Sequence, residues 1–150
     1  MRYDTNVLGR TVLDTDVVVA AVRSDRGASR VLLTAALQKR YLALASVPLM
    51  LQYESVLTRL EHLAVSRLST ADVEVILDAI AAVVEPVRIS YLWRPILPDP
   101  GDDLVLETAV NGRANALVTF NRRDFAPAST PFGLEILTLA DAVRRLENRQ

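Results

Sequence analysis

Acidic and amide side chains recur along this 150-residue chain at the points where apolar runs end. They occupy four segments: Asp14 with Asp16, Glu54, Asp102, and Asn121 with Asp124. Carboxylates brought close together repel and raise one another's pKa values, so a counter-charge is needed to keep them ionised. Oxygen ligands suit a hard divalent cation such as Mg²⁺ or Mn²⁺, which activates both a phosphodiester and the attacking water. The pattern therefore predicts a metal-dependent phosphodiester hydrolase site.

Each of these residues also has an ordinary structural interpretation. Asp14 and Asp102 come directly before helical patterns, where an Asp can cap the helix or meet its positive end. Asn121 and Asp124 are residue types that turns favour. A Glu beside an apolar helical stripe, as Glu54 is, either reaches water or meets a partner. Only the convergence of all four segments on one edge favours a site over separate caps and turns.

Helical spacing also predicts the direction in which the acidic side chains of two segments point. Glu54 has apolar neighbours within one turn of its helix: Met50, Leu51 and Leu57. Asp102 aligns with Val105 and Leu106, so we expect its side chain to point towards the sheet. Asp103 aligns with Glu107, so we expect both of these side chains to face solvent.

The elements that must position these residues alternate between short apolar runs and longer helical patterns. This alternation is typical of βαβ units and a parallel sheet. Strands are predicted at 11–14, 41–46, 87–90, 115–120 and 135–137, and helices at 15–22, 27–40, 48–62, 69–84, 102–113 and from 138 onwards. Loops are predicted at 91–100 and around Pro127 and Pro131. Ligands of such sheets bind beyond the carboxyl ends of the strands, where the acidic segments fall.

Composition narrows the class of protein. The chain has no cysteine, which excludes disulfides, thiolate metal sites and a cysteine nucleophile. Its only histidine is His62, so there is no His-rich zinc pattern, and the formal net charge is −1. No apolar run approaches the roughly 20 residues of a membrane helix, and residues 1–10 lack the apolar stretch of a signal peptide. We expect one cytoplasmic domain over residues 1–150.

The four segments resemble those of the PIN domain. They are 12–16 (VLDTD), Glu54, 99–103 (DPGDD) and 119–125 (TFNRRDF), in the order in which the family carries them. The resemblance is to the branch that supplies toxin components of toxin–antitoxin pairs, with the VapC toxins as relatives, and it covers about residues 11–147. It implies a single-domain, three-layer α/β fold with a central, mainly parallel sheet flanked by helices.

The resemblance also implies an activity and partners. The activity is that of a Mg²⁺- or Mn²⁺-dependent endoribonuclease that prefers single strands, acting as the toxin of a type II pair. The implied partners are an RNA substrate, a small antitoxin protein and a second copy in a homodimer, with no membrane. By position, Asp14, Glu54 and Asp102 correspond to the family's metal-binding acids, and Asp16 falls where Asn is common. Two further positions correspond to polar residues that shape the site: Thr15 and Thr119.

The chain departs from the wider family pattern after the fourth predicted strand. The family often carries Asp at the position that Asn121 fills here, and Asn offers a carbonyl ligand without charge. Either Asp124 takes over as a metal-binding and catalytic acid, or the site holds a single ion. Arg122 and Arg123 stand beside these residues, as contacts for RNA phosphates or as a solvated turn.

Two other interpretations remain open. Residues 14–18 (DTDVV) also resemble the first motif of haloacid-dehalogenase-type phosphatases, in which the first Asp is the nucleophile. Such chemistry needs a basic residue at the phosphate, and the single lysine, Lys39, closes a predicted helix far from the acidic edge. Glu54 would also have no role there. The second alternative is a PIN-like module that binds RNA or protein without cutting, which Asn121 favours.

Overall fold

Five short strands form one parallel sheet in the computed structural model, which describes residues 8–24, 26–90 and 100–147. The strands are β1 (Arg10–Leu13), β2 (Leu42–Ala45), β3 (Glu85–Pro86), β4 (Ala116–Val118) and β5 (Glu135–Leu137). Their order in the sheet is β3-β2-β1-β4-β5, and every pair is parallel. The predicted α/β fold with a parallel sheet is confirmed.

Eight helices flank the sheet in the described ranges. They are α1 (Thr15–Arg23), α2 (Ala28–Leu37), α3 (Val47–Leu57), α4 (Leu60–Ser66), α5 (Thr70–Val83), α6 (Pro100–Asn111), α7 (Arg122–Phe132) and α8 (Leu139–Glu147). With this strand order, the right-handed rule for crossovers between parallel strands assigns α1 to α5 to one face of the sheet and α6 and α7 to the other. Packing agrees with this, because α1, α2, α3 and α5 contact one another, α6 contacts α7, and α8 returns to α2.

The central strands are apolar because helices cover both of their faces. All three residues of β4 are fully buried, and Val12 and Leu13 of β1 are also buried. Strands buried on both faces read as continuous apolar runs, which is why these strands were evident from the sequence. The capping box expected at α5 is present, with reciprocal hydrogen bonds of 3.0 and 3.1 Å between Ser69 and Asp72.

Two element boundaries differ from the prediction. The helix expected over 48–62 is divided into α3 and α4 at Thr58, whose hydroxyl donates to the Glu54 carbonyl at 2.8 Å. A hydroxyl that bonds back to the helix competes with the backbone hydrogen bonds and favours an end there. The third strand lies at Glu85–Pro86 and not at 87–90, although the Val87 amide still donates to Ala45 of β2 at 2.9 Å.

The loop expected around Pro127 and Pro131 is instead helix α7. Proline disfavours a helix interior because it lacks an amide donor. Here tertiary packing overrides that preference, since Phe125 in the first half of α7 is fully buried against the core. The loop prediction for these two prolines was therefore wrong.

The proline-rich loop expected at 91–100 lies outside the described residues, except for Pro100 at the start of α6. Within the ranges that the structure describes, no helix is both long enough and apolar enough to cross a membrane.

Candidate active site at the carboxyl edge of the sheet

Asp14 lies in the crevice where the direction of the strand connections reverses. The chain passes from β1 to β2 on one side, whereas β4 lies on the other side of β1. Parallel α/β sheets bind their ligands at this switch point. Asp14 directly follows β1, its amide donates to the Val118 carbonyl of β4 at 2.9 Å, and its side chain is only 4% exposed. It occupies the N-cap position of α1 without a capping side-chain hydrogen bond, so capping does not explain it.

The hydroxyl of Thr119 fixes the Asp14 carboxylate. Thr119 directly follows β4, is fully buried, and donates to Oδ2 of Asp14 at 2.7 Å. The same hydroxyl accepts the amide of Asn121 at 2.9 Å. One side chain therefore links the end of β1 to the segment that leads from β4 into α7. The assignment of Thr119 as a site-shaping residue stays a prediction, and the structure brings its hydroxyl into contact with Asp14.

The surroundings of Asp14 raise the pKa of its carboxyl group above the ordinary value for aspartate. The largest cause is burial, which disfavours the charged form. The negative charges of Asp16 and Asp124 raise this pKa further, whereas the Thr119 hydroxyl and the Thr15 amide lower it. The structure thus places Asp16 and Asp124 near enough to Asp14 for their negative charges to act on its carboxyl group.

The other residues expected on the segment after β4 lie at the surface. Asn121, Arg122, Arg123 and Asp124 are all exposed. Asp124 falls in the first turn of α7, and its amide donates to the Asn121 carbonyl at 2.9 Å. A helix N-terminus attracts negative charge, so this turn suits both an acidic side chain and an incoming phosphate.

Helix α3 supplies two residues that the sequence did not single out. The hydroxyl of Tyr53 donates to the Leu13 carbonyl at 2.6 Å, directly before Asp14. The amide of Gln52 donates to the Thr15 hydroxyl at 2.5 Å, directly after Asp14. These hydrogen bonds hold the backbone before Asp14 and the side chain of the residue after it against α3. The only available signal was their place next to Glu54, because tyrosine and glutamine are common in amphipathic helices for many reasons.

Glu54 lies on α3 beside these anchors but is exposed. The buried residues of α3 are Leu49, Tyr53 and Leu57. The predicted stripe was partly wrong, since Leu51 is 58% exposed. Glu54 directly follows the buried Tyr53 on α3, and its side chain is exposed to solvent.

The orientation predicted for the start of α6 was reversed for Asp103. Asp103 is 2% exposed and Glu107 is fully buried, whereas Asp102 is partly exposed. Neither buried acid is without a partner. The physical reason is that α6 packs against β1, β2, α3 and α7 and has little solvent-facing surface, so a two-sided helical pattern does not apply.

Among residues 8–24, 26–90 and 100–147, no group of three or more acidic or histidine side chains is gathered closely enough to hold an ion by itself. The candidate ligands nevertheless suit a hard dication, since all of them are oxygen atoms. In addition, Asp14 is buried and the negative charges of Asp16 and Asp124 act on it. Asp14 is fixed, whereas Asp16, Glu54 and Asp124 are exposed and can change rotamer. A divalent cation would therefore have one rigidly held ligand, Asp14, and further acidic ligands whose side chains can move to meet it.

The raised pKa of Asp14 predicts how stability varies with pH in the absence of metal. Because the pKa of this carboxyl is higher in the folded than in the unfolded protein, its protonation favours folding. This contribution is complete below the pKa of unfolded aspartate and is lost as the pH rises through the folded pKa. Asp14→Asn should remove this loss, so that in chelator at neutral pH its free energy of unfolding equals or exceeds that of the wild type.

The measurement is urea unfolding in chelator from acidic to neutral pH. The matched control is Asp141→Asn, which removes an acid from the first turn of α8 that pairs with Arg144 at 3.1 Å. The free energy of unfolding of this control should fall with rising pH by as much as that of the wild type. If the free energy of unfolding of Asp14→Asn fell with rising pH by the same amount, the prediction would be contradicted.

The fold and this edge define a class, namely a three-layer α/β domain whose buried aspartate lies at the switch point of a parallel sheet. Residues 10–123 match the PIN domain. This match spans most of the chain, and the chain therefore belongs to the PIN domain family. The resemblance found in the four acidic segments is confirmed.

Among solved structures, the fold is similar to a chain in the crystal structure of VapBC2 from Rickettsia felis bound to a DNA fragment from their promoter. The TM-score is 0.59 with 14% sequence identity, covering 86% of this chain and 98% of that chain. At this identity the similarity establishes the fold. No curated protein matches the chain.

Proposed function

We propose that the chain is a Mg²⁺- or Mn²⁺-dependent endoribonuclease that acts as the toxin of a type II toxin–antitoxin pair. The observation that supports this most directly is the buried carboxylate of Asp14 at the switch point, with the negative fields of Asp16 and Asp124 acting on it. Membership of the PIN domain family supports nuclease chemistry at that edge.

In this proposal Asp14 is the fixed ligand of a divalent cation. Asp102 and Glu54 are proposed as further metal-binding acids, and Asp124, with the carbonyl of Asn121, takes the place of the family's fourth acid. The chemistry that such an ion supplies when bound is Lewis-acid activation of the phosphodiester and of water. The protein's own part is to hold Asp14 in one rotamer through Thr119 and to keep its backbone in place.

The proposed partner is a small antitoxin protein that covers the acidic edge. The solved structure with a similar fold is described as a VapBC2 complex bound to promoter DNA, which supports a partner of this kind. A cytoplasmic location and a homodimer are part of the same proposal. Both are tested by fractionating the host cell and by measuring the mass of the purified protein in solution.

A PIN module that binds RNA without cutting is the second candidate. It is favoured by Asn121 and by the lack, within the described ranges, of a ready-made group of three acids. A phosphatase of the haloacid-dehalogenase type is disfavoured by Lys39, which lies between the end of α2 and the start of β2. That position is at the amino edge of the sheet, opposite the edge that holds Asp14.

The deciding experiment is cleavage of mixed single-stranded RNA substrates with Mg²⁺, with Mn²⁺ and with chelator. We expect endonucleolytic products that require the added dication and that are lost in chelator. RNA binding without products under all three conditions would favour the second candidate. Absence of both binding and cleavage would overturn the proposed function.

Tyr53→Phe is expected to lower activity through the backbone before Asp14. Removing the hydroxyl leaves the buried Leu13 carbonyl without its hydrogen bond, which costs about 1–3 kcal/mol of unfolding free energy. The end of β1 is then less firmly held, so we also expect a drop in cleavage rate. Urea unfolding and RNA cleavage, compared with the wild type, measure the two effects.

Tyr41→Phe is the matched control. The Tyr41 hydroxyl is equally buried and donates to the Leu32 carbonyl at 2.7 Å, but it lies on the chain segment before β2, at the amino edge. We expect a similar loss of stability with unchanged cleavage by the folded protein. Equal losses of activity in both variants would show that Tyr53 acts only through global stability.

A further inference from the structure

Phe120 is an exposed aromatic residue at the carboxyl edge of the sheet. It follows β4 by two positions, and 52% of its surface is exposed. The other large hydrophobic residues exposed in the described part of the chain are aliphatic and lie on α2, α3, α4 and α5: Val31, Val47, Leu51, Val65 and Val75. An exposed phenylalanine loses the free energy of burial, so its position beside the buried acid calls for an explanation.

Hydrogen bonds fix the backbone on both sides of Phe120. The Thr119 amide donates to the Leu137 carbonyl of β5 at 3.1 Å, and the Asn121 amide donates to the Thr119 hydroxyl at 2.9 Å. That hydroxyl also donates to the Asp14 carboxylate. The aromatic ring is therefore carried by a segment whose position is set relative to Asp14.

Two positively charged residues follow Phe120 and Asn121 along the chain. Arg122 and Arg123 are exposed in the first turn of α7, where the helix N-terminus also favours anions. An aromatic ring next to guanidinium groups is the combination that binds single-stranded nucleic acid, since bases stack on the ring and phosphates meet the arginines. A protein-binding hot spot would instead be expected within a wider apolar patch, whereas the exposed neighbours of Phe120 along this segment are polar.

We propose that Phe120 is the base-stacking residue of the substrate site, receiving an unpaired base of single-stranded RNA next to the phosphate at Asp14. This proposal rests on the proposed ribonuclease function and adds the residue that selects unpaired strands. Duplex RNA keeps its bases stacked in the helix, so the ring gives it no comparable contact. Stacking against any base is sequence-tolerant, so the preference concerns strandedness and not sequence.

The test measures binding of wild type and variants to a short single-stranded RNA and to the matching duplex, in chelator so that the RNA is not cut. Phe120→Ala should weaken single-strand binding by about 10-fold to 100-fold, the range of one lost base–aromatic stack. Phe120→Leu should weaken it similarly, since it keeps apolar bulk without the aromatic face, whereas Phe120→Trp should retain it. Duplex binding should be the same in all four proteins.

Val75→Ala, which removes a 69% exposed side chain from α5, is the control and should bind RNA as the wild type does. With Mg²⁺ or Mn²⁺ present, we expect Phe120→Ala to raise KM for single strands more than it lowers kcat. Wild-type binding by Phe120→Leu would overturn the stacking proposal while leaving the ribonuclease function standing. Loss of a dimer with unchanged RNA binding would also overturn it, in favour of a protein contact. If the wild type neither binds nor cuts RNA, both proposals fall.

Discussion

Asp14→Asn is expected to reduce RNA cleavage by roughly three orders of magnitude or more, the upper range for removing one electrostatic contact from an active site. The substitution removes the negative charge of the one acid that is both buried and fixed at the switch point. An Asn oxygen can still accept the Thr119 hydrogen bond, so the backbone and packing should be retained. The measurement is the cleavage rate at saturating Mn²⁺, together with the melting temperature in chelator.

The matched control for this loss is again Asp141→Asn, which should cleave RNA at the wild-type rate. Glu54→Gln and Asp102→Asn extend the series, because the proposed ligand set predicts large losses for both. Wild-type activity in Glu54→Gln would remove that exposed side chain from the set. Wild-type activity in purified Asp14→Asn would refute the proposed site altogether.

Thr119→Val is expected to reduce cleavage by about 10-fold to 100-fold, the usual effect of losing a residue that orients a metal-binding side chain. Valine has nearly the shape of threonine but cannot donate to Asp14 or accept from Asn121. Since the Thr119 hydroxyl lowers the pKa of Asp14, its removal raises that pKa further. The unfolding free energy at neutral pH should fall by about 1–3 kcal/mol, because buried polar groups lose their partner.

Thr119→Ser is the conservative control, since it keeps the hydroxyl and should keep most of the activity. A double-mutant cycle with Asp14→Asn measures how much of this hydrogen bond's contribution depends on the carboxylate charge, and residues in direct contact typically couple by about 0.5–3 kcal/mol. We expect Thr119→Val to cost less stability in the Asp14→Asn background, where no buried charge depends on the hydroxyl. Equal costs in both backgrounds would mean that the negative charge of Asp14 adds nothing to the contribution of the Thr119 hydroxyl.

Much of the fold could be predicted from the sequence because the central strands are continuous apolar runs followed by polar residues. The pattern alone placed Asp14 at the end of the first strand, whereas Thr119 fell within the predicted strand 115–120 and was assigned to the site through the family resemblance. Parallel strands end at the same side of a sheet, so residues that are 105 positions apart fall within hydrogen-bonding distance. The family resemblance agreed with this placement.

The orientation of side chains on α3 and α6 could not be predicted in the same way. Helical periodicity separates a core face from a solvent face only when a helix has one of each. Helix α6 is covered on several sides, so Asp103 and Glu107 are buried although their pattern resembled a solvent face. Helix α7 forms despite Pro127 because the burial of Phe125 is a tertiary effect, which local preference cannot reveal.

The hydrogen bonds by which Tyr53 and Gln52 hold the residues next to Asp14 could not be predicted from the sequence either. Both bonds depend on how closely α3 approaches the β1–α1 junction. Hydrogen bonds from a side chain to a distant carbonyl or hydroxyl leave no spacing pattern along the chain. Such contacts become visible only when the packing of the helices is known.

The long sequence separation between Asp14 and Thr119 has a consequence for the protein during its synthesis. The central strand β1 is made well before its partner β4, since Asp14 and Thr119 are 105 residues apart, so their pairing is a non-local event. A ribosome-bound chain from which Thr119 has not yet emerged lacks the hydroxyl that fixes the Asp14 carboxylate. Translation therefore delays completion of the contact between Asp14 and Thr119 until the segment that contains Thr119 has left the ribosome.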